Sequence, residues 1–164
     1  MGTPNTPTTI LKVGAALGVV DGISAVVINR ALSPTPSAVR TFQGVAYALL
    51  GKDAFAGGVA SMSLGIAMHF AVAFTWTSIF TLAYRQTPLH RVARGPVRLG
   101  AVGVVFGALI WLTMTMVVFP LTRIGGHAPV TSRGFIVNLV HHMLVVGPLV
   151  AVLVARSVRQ PHHL

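Results

Sequence analysis

Long apolar runs alternate with short polar breaks along the whole of this chain. A helix needs about 20 mostly apolar residues to cross the hydrocarbon core of a bilayer. Four stretches reach that length, at about residues 9–31, 54–84, 96–119 and 134–156. Pro96 suits the first turn of the third span and Pro120 closes it. Thr131 or Ser132 is placed to cap the fourth. Asp53, just before Ala54 and Phe55, reads as the N-cap of the second. Between the first two spans, at about 37–51, Val39, Phe42, Val45, Ala46, Leu49 and Leu50 recur at helical spacing, with Arg40 and Gln43 off that face. The pattern predicts a short amphipathic helix lying in the membrane interface; a re-entrant or partly buried turn is the other reading. The expected fold is all-α: one integral-membrane domain, a four-helix bundle with an interfacial helix between spans one and two.

Composition supports the same class. The chain has 164 residues, of which 54% are hydrophobic and 9% charged. A soluble domain carries roughly 25% charged residues, so this chain cannot cover a water-facing surface. An ordinary water-soluble enzyme and a disordered chain are both excluded. Twelve Lys+Arg against two Asp+Glu give a net charge of +10. The cations sit at the ends of apolar runs rather than on one face interleaved with aromatics. The expected partner is therefore the lipid bilayer and not nucleic acid. The absence of cysteine excludes disulfides, Cys-ligated zinc, iron–sulfur clusters and thiol catalysis.

The first apolar run holds Asp21 near its middle and lacks a convincing small-x-small cleavage site, so it reads as a retained span rather than a cleaved signal. With the N-terminus inside, Lys12, Arg85, Arg91, Arg94, Arg98, Arg156 and Arg159 fall on the cytoplasmic side, and Arg30, Arg40, Lys52, Arg123 and Arg133 on the other. The basic bias of the short second connection then predicts both termini in the cytoplasm.

Helices in lipid associate through close packing of small residues. Span one carries Gly14, Gly18, Gly22 and Ala25; span two Gly57, Ser61, Gly65 and Ala73; span three Gly100, Gly103 and Gly107. These stripes predict a compact bundle, and they would equally serve a homo-oligomer or a larger membrane complex.

Asp21 is the most informative residue. A carboxylate at a span centre is costly, about 2.5–3.5 kcal/mol, and should face the bundle interior and find a partner. It lies beside Gly18, Gly22 and Ala25 on the small-residue stripe. His69 in span two, and His141 and His142 in span four with Asn138 one turn earlier, fall at overlapping depths. The expectation is a buried polar cluster of Asp21, His69, Asn138, His141 and His142, with Ser61 assisting. The two adjacent histidines differ by about 100° around the helix, and periodicity slightly favours His141 as the inward one. Met62 and Met114 share interior faces and read as core filler. His90 and His127 fall in connections, and His162 and His163 end the chain.

Three functions fit such a cluster: a hydrogen-bonded interior that fixes helix register, a proton- or ion-handling site, and a haem or metal site of a redox protein. No phosphate-binding loop, GxSxG elbow, HExxH helix or carboxylate pair is present. The expectation is a non-enzymatic multi-pass membrane protein without a cofactor. Its polar cluster either fixes helix register or handles protons or ions, with a redox protein or an accessory subunit of a larger complex as the alternatives.

Span two reads Gly65-Ile-Ala-Met-His69-Phe-Ala-Val-Ala-Phe74 and ends at Tyr84-Arg85. Span three closes on Val118-Phe119-Pro120-Leu121, and in span four His142 precedes Val146-Gly147-Pro148-Leu149. These short apolar motifs, over most of the chain from about Gly14 onward, resemble small bacterial four-span membrane proteins, including the YagU-like group. The resemblance implies a four-span fold and a bacterial inner-membrane location, but no reaction. It also implies that His69 and His142 occupy recurrent positions, which favours His142. His141 stands where the group's pattern would place glycine.

Overall fold

The computed structural model describes residues 6–35 and 37–159. His162 and His163 lie outside the described residues. Helix α1 spans Thr6–Leu32, α2 Ala38–Leu50, α3 Gly58–Gln86, α4 Leu89–Val92 and α5 Pro96–Thr113. Then come α6, Arg133–His141, and α7, Gly147–Arg159. A π-helical turn at Met114–Val118 and a 3-10 turn at Phe119–Leu121 extend α5. A second π-helical turn, His142–Val146, joins α6 to α7. Four continuous helical segments are thus long and apolar enough to cross a membrane: Thr6–Leu32, Gly58–Gln86, Pro96–Leu121 and Arg133–Arg159. The fold is an all-α four-helix membrane bundle.

The helix ends follow local chemistry. The Ser132 hydroxyl accepts from the Phe135 N–H at 3.2 Å, capping the fourth span. Pro96 occupies the first turn of α5, where its missing N–H costs nothing. The Asp53 expectation is corrected. Asp53 sits inside a 3-10 turn, Gly51–Phe55, and the second span starts only at Gly58, behind an N-cap, Gly57, that makes no side-chain bond. The chain turns at Gly51 and Gly58, both at positive φ, so the polar break is longer than hydropathy implied.

Two helix pairs build the bundle: α1 packs along α3, and α5 along α7. Glycine stripes make both contacts close, in different ways. On α1, the Gly14 and Gly18 sites receive the rings of Phe74 and Phe70, and Gly22 faces His69. A side chain at Gly18 would stand 2.6 Å from the Phe70 ring. In the second pair, backbone meets backbone: Gly103 lies against Pro148, Gly107 against the His142 carbonyl, and Gly147 against Gly103 and Gly107. Gly65 faces no transmembrane partner; a side chain there would overlap the Phe42 carbonyl of α2.

Helix α2 therefore packs on span two, with Gln43 turned inward against expectation while Arg40 stays exposed. Gln43 is buried; its amide donates to Gly58 O at 3.1 Å and Ser61 Oγ at 3.3 Å. Ser61 in turn donates to Ala54 O at 2.6 Å. Two buried polar side chains, Gln43 and Ser61, thereby tie α2, the 3-10 turn and the start of α3 together, so Gln43 turns inward beside the apolar Ala46. Ser61 belongs to this lock and not to the Asp21 neighbourhood.

The apolar core sits in the half of the bundle nearest the chain ends, built from Leu17, Phe80, Tyr84, Phe106, Val150 and Val154 with their neighbours. We call that side the terminal face. Large apolar side chains such as Ile23, Val105 and Leu109 point outward, as a lipid surrounding requires. The opposite half, toward the far face, is less densely filled, and the polar residues of the spans gather there.

Candidate functional site

A cavity of about 580 Å³ occupies the far half, between the two helix pairs and under α2. It runs from Leu32, Ser33, Thr122 and Ile124 near the far face inward to Leu17, Ala73 and Trp76. Most of its wall is apolar. The polar exceptions are Asp21, Asn29, His69, Asn138, His141 and His142, with Ser33, Thr41 and Thr122 nearer the far face. At 1.5 Å per residue, Asp21 and His69 lie about 16 Å along their helices from the far ends and His141 about 12 Å. Three spans thus carry these groups to nearly one level.

Asp21 stands at the centre. Its Oδ1 is 3.7 Å from His141 Nδ1 and its Oδ2 3.9 Å from His69 Nε2. These are ion-pair separations, too long for hydrogen bonds. The expected buried cluster is corrected: Asp21 keeps 23% side-chain exposure, His69 12% and His141 10%. The groups line a cavity instead of closing on one another, because the two helix pairs meet tightly only in the terminal half.

Each ring is held by a different device. His69 Nε2 donates to Gly18 O at 2.9 Å. A carbonyl can only accept, so that contact fixes the proton on Nε2 in the neutral ring. The ring reaches the α1 backbone because Gly18 and Gly22 carry no side chains. Phe42 of α2 and Phe70 pack edge-on against it, with centroids at 5.9 and 5.8 Å.

The two adjacent histidines divide the work. His141 approaches Asp21, whereas His142 Nδ1 donates back to Asn138 O at 2.8 Å and its ring lies 5.0 Å from Trp111. The residue that periodicity favoured faces the carboxylate, and the one favoured by the resemblance faces span three. Asn138 bonds within its own helix, donating to Gly134 O at 2.8 Å. The π-helical turn begins at His142, where the Gly147 N–H reaches back five residues to His142 O. One extra residue per turn shifts the helical phase between His141 and Pro148, so a 3.6-residue wheel drawn through both misplaces one of them. Such turns recur at functional sites.

Two further polar residues, Asn29 and Trp111, went unnoticed in the sequence. Asn29 Oδ1, Trp111 Nε1 and His141 Nε2 are buried with no hydrogen-bond partner among the described residues, and all three residues line the cavity. Buried polar groups are rarely left so. Asn29 was hidden because it sits in the last turn of its span, where polar residues are ordinary; Trp111 because an interior aromatic reads as core. Among the described residues, no group of three or more His, Cys, Asp or Glu side chains is placed to hold a metal ion. No family model matches the chain, and no curated protein or solved structure is significantly similar to it.

Proposed function

We propose that the protein binds a small, largely apolar organic cation in this cavity, in exchange for a proton. The observation that carries the reading is the convergence of one carboxylate and two imidazoles on the wall of a mostly apolar cavity of about 580 Å³. That volume suits a drug-sized molecule. Asp21 is the one acidic side chain in any of the spans. A carboxylate so placed favours either a proton nearby or a cation at contact. Trp76 and Trp111 on the wall add π faces that attract a desolvated cation. Imidazole titrates near neutral pH. With the cavity empty, a proton carried by Asp21 or by a neighbouring imidazole compensates the carboxylate; an arriving cation takes its place and the proton leaves.

The location we propose is a bacterial inner membrane with both termini cytoplasmic. The cation bias of the second connection supports the orientation, and the resemblance to the YagU-like group supports the membrane.

The test uses tetraphenylphosphonium as the probe. Trp76 and Trp111 are the chain's two tryptophans and both line the cavity, so intrinsic fluorescence reports occupancy directly. Purified protein should bind the probe saturably. Below the titration of the site, binding should weaken by about tenfold per pH unit if a single proton competes. Asp21→Asn should remove both the affinity and its pH dependence while the protein still inserts. Equal binding by Asp21→Asn, or binding indifferent to pH, would overturn the reading.

A further inference from the structure

The cavity under α2 is closed on its terminal side. Leu17, Ala73, Ile110 and Val146 floor it, and all four also belong to the close-packed core. Nothing reaches the cavity from the terminal face without parting that core. The far end is framed instead by hydroxyls from three segments: Ser33 after span one, Thr41 of α2 and Thr122 after span three. A polar rim suits a mouth that meets water, whereas surfaces that meet lipid are apolar.

Helix α2 forms one side of that mouth. Thr41, Gly44, Val45 and Ala48 line the cavity, and positions i, i+3, i+4 and i+7 share one face of a helix. On the helix circumference Gly44 falls between Ala48 and the exposed Arg40. It therefore stands at the edge of the cavity face, where that face meets the outside. Ala48 is pinned to the opposite rim, because its carbonyl accepts from the Arg123 N–H at 3.0 Å.

Packing does not require a glycine at this point. A Cβ at Gly65, Gly107 or Gly147 would overlap neighbouring backbone, but a Cβ at Gly44 would meet nothing within 4 Å. Its φ is not positive either, and glycine within a helix weakens it. Gly100 and Gly134 also face open space, yet Gly44 is the one glycine in the cavity wall. We propose that Gly44 sets the size of the cation that can enter: without a side chain there the mouth passes a bulky cation, and a large side chain turns it away. Charge does not guard the mouth. The Arg40 guanidinium lies over the Phe55 ring, 5.3 Å from its centroid, and neither residue lines the cavity. The inference takes its ligand from the cation reading and its route from the cavity wall, so the two can fail separately.

The chain contains no cysteine, so Ala25→Cys places a single thiol on the cavity wall between Asp21 and Asn29. The full chain in neutral detergent is treated with two cationic methanethiosulfonates, a small aminoethyl one and a bulky triphenylphosphonium one, and modification is followed by mass spectrometry. Both should react. Adding Gly44→Leu should slow the bulky reagent at least about tenfold and the small one by less than about twofold, as a filter that works by size requires. Gly44→Ala, the mildest change, is the second variant and should fall between. Gly100→Leu, outside the cavity, should leave both rates unchanged. Leucine is a better helix former than glycine, so Gly44→Leu should resist unfolding at least as well as its parent. An unchanged rate with the bulky reagent in Gly44→Leu would overturn the proposal. So would equal slowing of both reagents, or a thiol that the bulky reagent never reaches. If wild type fails to bind tetraphenylphosphonium while Gly44→Leu still excludes the bulky reagent, the cation reading falls and the filter stands. If wild type binds it while Gly44→Leu admits the bulky reagent freely, the filter falls and the cation reading stands.

Discussion

Gly107→Ala probes the α5–α7 contact on which the second helix pair and the π-helical turn both rest. A Cβ at Gly107 would overlap the His142 carbonyl oxygen and stand 2.5 Å from His142 C and 3.0 Å from Met143 Cα. Ordinary carbon contacts are about 3.5–4.0 Å, so the helices must separate locally by roughly 1 Å. The obstacle is backbone, and no rotamer change can relieve it. A gap of about 0.5–1 Å forfeits a quarter to a half of each contact's energy along the seam. The adjoining Gly103–Pro148 and Gly147–Gly107 contacts open with it. Overpacking of this kind costs about 1–3 kcal/mol, and the upper half of that range applies here. The better helix propensity of alanine returns about 0.8–1.0 kcal/mol, leaving a net loss of about 1–2 kcal/mol. Gly100→Ala is the matched control. Nothing lies within 4 Å of its Cβ, so it keeps the propensity gain alone. The two variants should therefore differ by about 2–3 kcal/mol. Reversible unfolding in mixed micelles with increasing dodecyl sulfate, followed by tryptophan emission, measures that difference. Because the displaced carbonyl belongs to His142, whose ring lies against Trp111, the folded-state emission should shift in Gly107→Ala and not in Gly100→Ala. Equal stabilities for the two variants would refute backbone contact at this seam.

Other consequences are as direct. Gly18→Ala should destabilise by about 1–3 kcal/mol through the Phe70 ring, and Phe70→Leu in the same chain should recover part of the loss; a double-mutant cycle without coupling would show that the ring is not seated there. Gln43→Leu keeps the volume but removes the amide that donates to both Ser61 Oγ and Gly58 O, and should cost about 1–2 kcal/mol, read in the same unfolding titration; a neutral result would remove the polar lock. The chain contains no cysteine, so single cysteines introduced at Gly126 and Arg91 report topology cleanly. A membrane-impermeant maleimide should label the first in intact cells and the second only after permeabilisation, and the reverse pattern would invert the proposed orientation.

The amino-acid sequence by itself determined the class and the number of spans. Water and lipid demand opposite surfaces, and a chain with 9% charged residues can satisfy only one of them. Pro96 and Ser132 were legible as helix starts because capping depends on a few neighbouring atoms. Asp21, His69 and His141 were legible as neighbours because a charge in lipid must face inward, and depth follows from counting residues. Tertiary structure decided what no local pattern encodes. The inward turn of Gln43 depends on Gly58 O and Ser61, groups on another element. Gly14 and Gly18 accept rings and Gly107 accepts a carbonyl, although all three read alike as small residues. His141 faces Asp21 as periodicity favoured, but that His142 meets Trp111 was decided by how span four packs against span three. Asp21 lines a cavity because helix pairs α1–α3 and α5–α7 close only in their terminal half, and such a gap is a property of packing between segments far apart in the chain.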